Sequence, residues 1–140
     1  MTKEVLIRIE GRQIGSEDEP IITTVSGVYH NTRGKHYIQY EEPIEDVAAV
    51  SKNMIKIEPS RVVLTKKIVR ASEMIFDRAE TTRVDYQTPY GDLTFELKTY
   101  SILLKDESDR IEVYMEYSLY SNSAHVSDNS ILIVIASAEI

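Results

Sequence analysis

The stretch RIEVYMEYSLY, residues 110–120, places Ile111, Val113, Met115, Tyr117 and Leu119 on one side of a pleat and Arg110, Glu112, Tyr114, Glu116, Ser118 and Tyr120 on the other. Alternation with period two over so many residues marks a strand with one face in a core and one toward water. The same period recurs along the chain: Val5, Ile7 and Ile9 alternate in EVLIRIE, and His36, Ile38 and Tyr40 share a face of KHYIQYEE. Apolar spacing of the helical kind is not sustained anywhere.

Turn chemistry separates these runs. GSEDEP (15–20) breaks the first strand, NTRG (31–34) supplies the Asn and Gly of a tight hairpin, Pro59 and Ser60 separate NMIKIE from RVVLTKKIV, TPYGDL (88–93) carries Pro89 and Gly91, and KDESD (105–109) leads into the opening stretch. YSNSAHVSDNS (120–130) reads as a longer polar loop before ILIVIA (131–136), a run far too short to span a bilayer and therefore a buried strand. Residues 43–50 read as either a helical turn or an acidic loop. In DLTFELKTYSILL the apolar phase passes from Leu93, Phe95 and Leu97 to Tyr100, Ile102 and Leu104, so a β-bulge is expected near Lys98 and Thr99.

These runs predict an all-β fold, an antiparallel up-and-down β-barrel of about eight to ten strands occupying residues 1–140 as one domain. Closure removes the sheet edges that such a chain would otherwise expose. The interior is expected to pair Ile111, Val113, Met115, Tyr117 and Leu119 with Leu93, Phe95 and Leu97 across one ladder. Val62 and Leu64 with Ile131, Ile133 and Ile135 are expected to form the far wall. Which faces of residues 61–70 point inward stays open.

A chain of 140 residues is long enough for one real core, burying roughly 68–70% of its unfolded surface. The net charge of −7 works against nucleic-acid or membrane binding through a general field. The absence of Cys removes disulfides, thiolate chemistry and cysteine zinc sites. The opening MTKEVLIRIEG, interrupted by Lys3, Glu4, Arg8 and Glu10, lacks the apolar run of a signal peptide, so a cytoplasmic setting is expected.

Signals for chemistry are few. His30, His36 and His125 are scattered and fit no metal-ligand spacing, and no glycine-rich phosphate loop is present. Ser123, Ser127 and Asp128 beside His125 could supply a hydrolase triad but are also ordinary loop residues. Nine Tyr against two Phe and no Trp fit both a pocket lining and a pleated surface. Between Lys56 and Arg83 seven cations stand against four anions, an excess of +3 in a chain of −7. Two of them, Lys66 and Arg78, would need an anion if they pointed inward. The expected ligand residues are thus Tyr40, Tyr86 and Tyr117, with Lys66 and Arg78. No catalytic, metal or cofactor residue is assigned, and enzyme activity is not expected.

The runs TTVSGVYHNTRGKHYIQYEE, MIKIEPSRVVLTKK, MIFDRAE, VDYQTPYGDLTFELKT, RIEVYMEYSLY and NSILIVI, in this order, resemble the YwiB-like family of bacterial calycin-like β-barrel proteins of unknown function. The resemblance extends from about Ile21 to Ile135, and its most specific piece is Tyr86, Thr88, Pro89, Tyr90 and Gly91 with Thr99 downstream. In LTKKI, where the family pattern has an Arg followed closely by Gly, this chain has Lys66 and Lys67. The resemblance implies the barrel and a bacterial cytoplasmic setting and transfers no catalytic residue. Lipocalins are similar in architecture alone. The favoured role is binding of a small apolar or anionic molecule at the barrel mouth, by a monomer or homodimer. The alternative is an interaction or structural module with a self-filled core.

Overall fold

The computed structural model describes residues 1–44, 49–68, 70–88 and 90–138. Ten strands form one antiparallel sheet: β1 (Glu4–Gln13), β2 (Ile21–Thr32), β3 (Lys35–Pro43), β4 (Val50–Glu58), β5 (Arg61–Lys67), β6 (Ala71–Asp77), β7 (Thr82–Thr88), β8 (Gly91–Asp106), β9 (Arg110–Ser121) and β10 (Ala124–Ser137). The order β6-β5-β4-β3-β2-β1-β10-β9-β8-β7 places nearly every strand beside its neighbour in sequence. Where β6 meets β7 the sheet curls into a nearly closed barrel. No helix occurs among the described residues.

Antiparallel progression gives the barrel two rims. The upper rim carries the connections after β1, β3, β5, β7 and β9; the lower rim carries those after β2, β4, β6 and β8 with both chain ends. Ser72, Lys66, Asn53, Tyr40, Gly27 and Val5 lie on one pairing row that starts near the upper rim on β6 and descends to the lower rim on β1. The strands are therefore tilted to the barrel axis, as closure requires. Gly27 is needed on this row. A Cβ there would meet Ile7 Cδ1 at 2.6 Å and the Gln39 carbonyl oxygen at 2.7 Å.

The core is the inward pleat of nearly every strand: Val5 and Ile7, Ile38, Ile55 and Ile57, Val62, Phe76, Val84, Leu97, Ile111 with Val113 and Met115, and Ile131 with Ile133 and Ile135. On β5, Val62 and Leu64 point inward while Arg61, Val63 and Thr65 line the outer side. The expected register of the opening stretch is corrected. The tight connection at 107–109 starts the β8–β9 ladder at Asp106 and Ile111, so Val113 and Met115 face Leu104 and Ile102, and only Leu119 reaches Leu97. Leu93 and Phe95 pair instead with Tyr86 and Val84 of β7. Ile131, Ile133 and Ile135 pair directly with Met115, Val113 and Ile111, forming the adjacent wall rather than the far one.

The bulge lies between Thr99 and Ser101. Its extra residue, Tyr100, is exposed, and Thr99 takes the inward position expected for it. At NTRG the positive φ values fall on Arg33 (54°) and Gly34 (78°), while Asn31 Oδ1 accepts the Gly34 N–H at 3.3 Å. The polar run 120–130 is not a loop. Asn122 and Ser123, with φ of 50° and 65°, make a two-residue turn, and the rest is ladder with a bulge at His125/Ser127. Its polar composition hid a period of two. The helix-or-loop reading of 43–50 falls largely on 45–48, outside the described residues; Pro43 closes β3 and Val50 opens β4.

His36 begins β3 and Asp106 ends β8, five places apart in the order of ten strands and thus on opposite sides of the barrel. His36 Nε2–H donates to Asp106 Oδ2 at 2.7 Å across the lower rim. The other ring nitrogen, Nδ1, lies 2.7 Å from the Tyr29 hydroxyl and accepts from it in the tautomer that carries its proton on Nε2. The imidazole is 7% exposed, so this chain of bonds bolts the lower end shut.

Two outcomes test this architecture in urea denaturation. Val113→Asp should cost several kcal/mol, on the order of 3 or more, by forcing a charge into the core, whereas Thr24→Asp on the outer pleat should cost less than about 1 kcal/mol. Asp106→Ala should cost about 1–3 kcal/mol by stranding the buried imidazole N–H, and Asp106→Asn, which keeps an acceptor, should cost clearly less.

Candidate functional site

Above the aliphatic core the inward pleat turns polar. Ser51 and Asn53 precede Ile55 and Ile57 on β4 toward the upper rim; Thr99 sits mid-strand on β8, between Leu97 and Ile102, opposite Tyr117 of β9. Asn53 is 6% exposed; its amide donates to Glu42 Oε1 at 3.4 Å, and among the described residues its Oδ1 has no hydrogen-bond partner. Thr99 is 4% exposed and its Oγ1 is likewise unpartnered. A buried polar atom left unbonded costs about 1–3 kcal/mol, so these two are departures from full satisfaction in the interior.

Beside this layer, at the upper rim where β5, β6 and β7 converge, lies a pocket of about 260 Å³ lined by Lys66, Ile68, Arg70, Ser72 and Tyr86. Lys66 shares a pairing rung with Asn53 and makes no ion pair among the described residues. Arg70 is bound to Asp92 across the pocket's edge. Ser72 donates to the Asp85 carbonyl at 2.8 Å, and the Tyr86 hydroxyl points at Met74 Sδ, 3.8 Å away. A second groove, of about 670 Å³, crosses β2 to β5 on the outer pleat, with Val28, Gln39, Lys52 and Met54 on its wall, and it also reaches Tyr40 and Asn53.

Of the residues expected from sequence, Lys66 and Tyr86 share the upper pocket. Tyr117 lies close enough to Tyr86 for that phenol to oppose its ionisation, and its ring meets Phe76 edge-on at 5.1 Å. Tyr40 stands on the other wall, four strands from β9, packed against the core. Arg78 is exposed in the connection after β6, at the lower rim, away from the other four. Asn53, Thr99 and Ser72 were not anticipated. Asn53 could have been found, because it shares the phase of Ile55 and Ile57 in NMIKIE; Thr99 could not, because its inward aim depends on which residue the bulge expels.

Around His125 the structure makes no triad. Ser118 Oγ (2.5 Å) and His125 Nε2 (2.8 Å) both donate to Asp128 Oδ1, placing the acid between the other two. Activation of a serine needs the imidazole in the middle. Ser118 and Tyr120 also hydrogen-bond the exposed Tyr100 phenol and lower its pKa. Among the described residues no three His, Asp or Glu side chains gather as a metal would need, and no helix is long and apolar enough to cross a membrane.

The family model described as "Domain of unknown function (DUF1934)" matches residues 7–133. Among solved structures, the crystal structure of ywiB protein from Bacillus subtilis superposes with a TM-score of 0.76 at 16% identity, covering 97% of this chain and 91% of that one. That likeness is one of fold. No curated protein matches.

Burial pushes the Tyr117 phenol up to about 12, with Tyr86 adding to it, and burial pushes Tyr40 up to about 12 with help from Glu42. Since folding raises both values above the ordinary phenol near 10, their stabilising effect is complete below about pH 10 and is lost as pH rises toward 12. An absorbance titration at about 295 nm should therefore show Tyr40 and Tyr117 ionising last, well above the ordinary phenol range near pH 10. Stability should fall only above pH 10, by on the order of 1–2 kcal/mol for each lagging group. Tyr117→Phe should remove one lagging group; a titration unchanged by that substitution would contradict the assignment.

Proposed function

This chain belongs to the family described as a domain of unknown function, DUF1934, and we propose from its own geometry that it binds a small molecule with an acidic head and a short apolar body at the upper mouth of the barrel, without catalysis. The observation that carries this reading is the Lys66 ammonium, which lines the upper pocket and makes no ion pair among the described residues. Lys66 attracts the acidic group, the Tyr86 hydroxyl, engaged only with Met74 Sδ at 3.8 Å, supplies a donor to it, and Ile68 faces the apolar body.

Size limits the guest. Drug-sized ligands occupy roughly 300–1,000 Å³, so a pocket of about 260 Å³ suits a molecule of fewer than about a dozen heavy atoms. The chain's overall charge of −7 opposes anions at long range, leaving selectivity to the local cations around the pocket. A second reading, a self-filled barrel acting through its surface, is favoured by the fully buried Phe76, Ile7, Ile38, Ile55 and Met115, which leave the lower interior no room for a guest.

Hexanoate and hexanol distinguish the two readings. In an NMR titration hexanoate should bind with a Kd in the millimolar range or better, shifting amides of β5 to β7, and should bind more tightly than hexanol. Lys66→Met should weaken hexanoate roughly tenfold and leave hexanol unchanged, the loss expected for one charge-assisted contact. Tyr86→Phe should weaken both a little at unchanged stability. Equal affinity for acid and alcohol, or shifts confined to the outer groove, would reject the mouth as an anion site.

A further inference from the structure

The outer pleat centred on β10 carries a row that is apolar except for Glu10, which Arg12 of the same chain holds at 2.8 Å, and that barrel closure does not require. Ile22, Glu10, Leu132, Tyr114 and Leu103 lie side by side across five strands, each paired to the next. Leu103 is 63% exposed and Ile22 48%. Leu103, Tyr114 and Leu132, with Lys105 and Glu112, line a groove of about 870 Å³ that also reaches Pro59 and the core-packed Ile102 and Leu104. An apolar row rimmed by charge in this way marks an interaction surface. What covers it is indicated by the charges in the rows above and below.

The row on the lower-rim side reads Thr24, Arg8, Val134, Glu112, Lys105, and the row on the upper-rim side includes Arg12, Ser130, Glu116 and Ser101. In both, β1 contributes an arginine and β9 a glutamate, one strand to either side of β10. A two-fold axis lying in the surface along β10 exchanges the β1 side of one molecule with the β9 side of the other and keeps every row at its own height. Under that operation Arg8 meets Glu112 of the second copy, Arg12 meets Glu116, Leu132 meets itself, and Ile22 enters the groove beside Leu103. Turning the axis to run along the row would instead set Arg8 against Arg12 and Glu112 against Glu116. The surface is thus self-complementary for one two-fold orientation and repulsive for the other.

We propose that this face binds a second copy of the chain, forming a symmetric dimer with its two-fold along β10. Isologous contact needs such a patch, in which each side supplies what the other lacks. Arg8 fits this role: it has no ion pair within its own chain among the described residues, and the dimer supplies one on each side of the axis. Glu112, already accepting from Arg110 Nε at 2.8 Å, gains a second cation.

A charge exchange tests the arrangement by sedimentation equilibrium. The native chain should sediment at twice its 16.0 kDa mass at micromolar concentration. Arg8→Glu alone and Glu112→Arg alone should each weaken the dimer about tenfold or more, and the double variant Arg8→Glu with Glu112→Arg should restore it. Leu132→Lys, on the axis and on the outer pleat, should dissociate it while the far-UV circular dichroism stays that of the native sheet. A native chain that remains a monomer at about 100 µM would overturn the proposal. So would a dimer indifferent to both single reversals, or a folded double variant that fails to recover.

Discussion

Closure of the sheet is the constraint on which everything else rests, and the chain meets it without a complete set of ladders. The two end strands, β6 and β7, face each other with no backbone pairing register between them. Hydroxyls do the joining: Thr82 Oγ1 donates to the Ile75 carbonyl at 2.7 Å and Ser72 Oγ to the Asp85 carbonyl at 2.8 Å. Two exposed edges, the usual liability of a sheet, are thereby blunted against each other. Side-chain bonds hold strands farther apart than backbone bonds do, and the upper pocket opens along this seam, between Ser72 and Tyr86. The site is thus a by-product of how the barrel closes.

The two ends of the barrel differ for reasons of charge. At the lower rim His36 and Asp106 come from opposite walls and satisfy each other, with Tyr29 completing the imidazole. A paired polar bolt of this kind tolerates burial. Above the aliphatic core the pairing is less complete: among the described residues Asn53 Oδ1 has no hydrogen-bond partner, and burial shields the Tyr40 and Tyr117 phenols from ionising. The polar side chains are thus satisfied at the lower rim and only partly so above, and it is there that the proposed ligand would sit.

Fold class was legible because alternation is a local property: RIEVYMEYSLY shows its buried face without reference to any other strand. Register was not, since it depends on turn length and on bulges. One residue at Tyr100 changes which side of the long strand β8 meets Met115, and the tight turn at 107–109 decides that Val113 faces Leu104. Polar strands were the other blind spot. In AHVSDNS the alternation is real, but its inward positions, such as Ser127 and Asn129, are polar at the upper end, so composition read as loop. The site was half legible for the same reason. Lys66 and Tyr86 stood out by residue type, whereas Asn53 and Thr99 matter for where their oxygens end up, and Arg78 stood out by charge although the turn after β6 carries it to the far rim.

The interior leaves little freedom in where function can sit. Gly27 is tolerated only as glycine because Ile7 and the β3 backbone already occupy the space of a Cβ, and from Phe76 down to Ile111 large side chains fill the lumen. A ligand cannot go deeper than the polar layer. On the outside, a self-contained barrel needs only polar residues, and most outward positions are polar. Leu132, Leu103 and Ile22 depart from that rule together, on one face, between rows whose charges match under a single rotation. Both proposed contacts therefore lie where the residue pattern exceeds what folding demands: at the upper rim a lysine that makes no ion pair among the described residues, and an apolar row outside along β10.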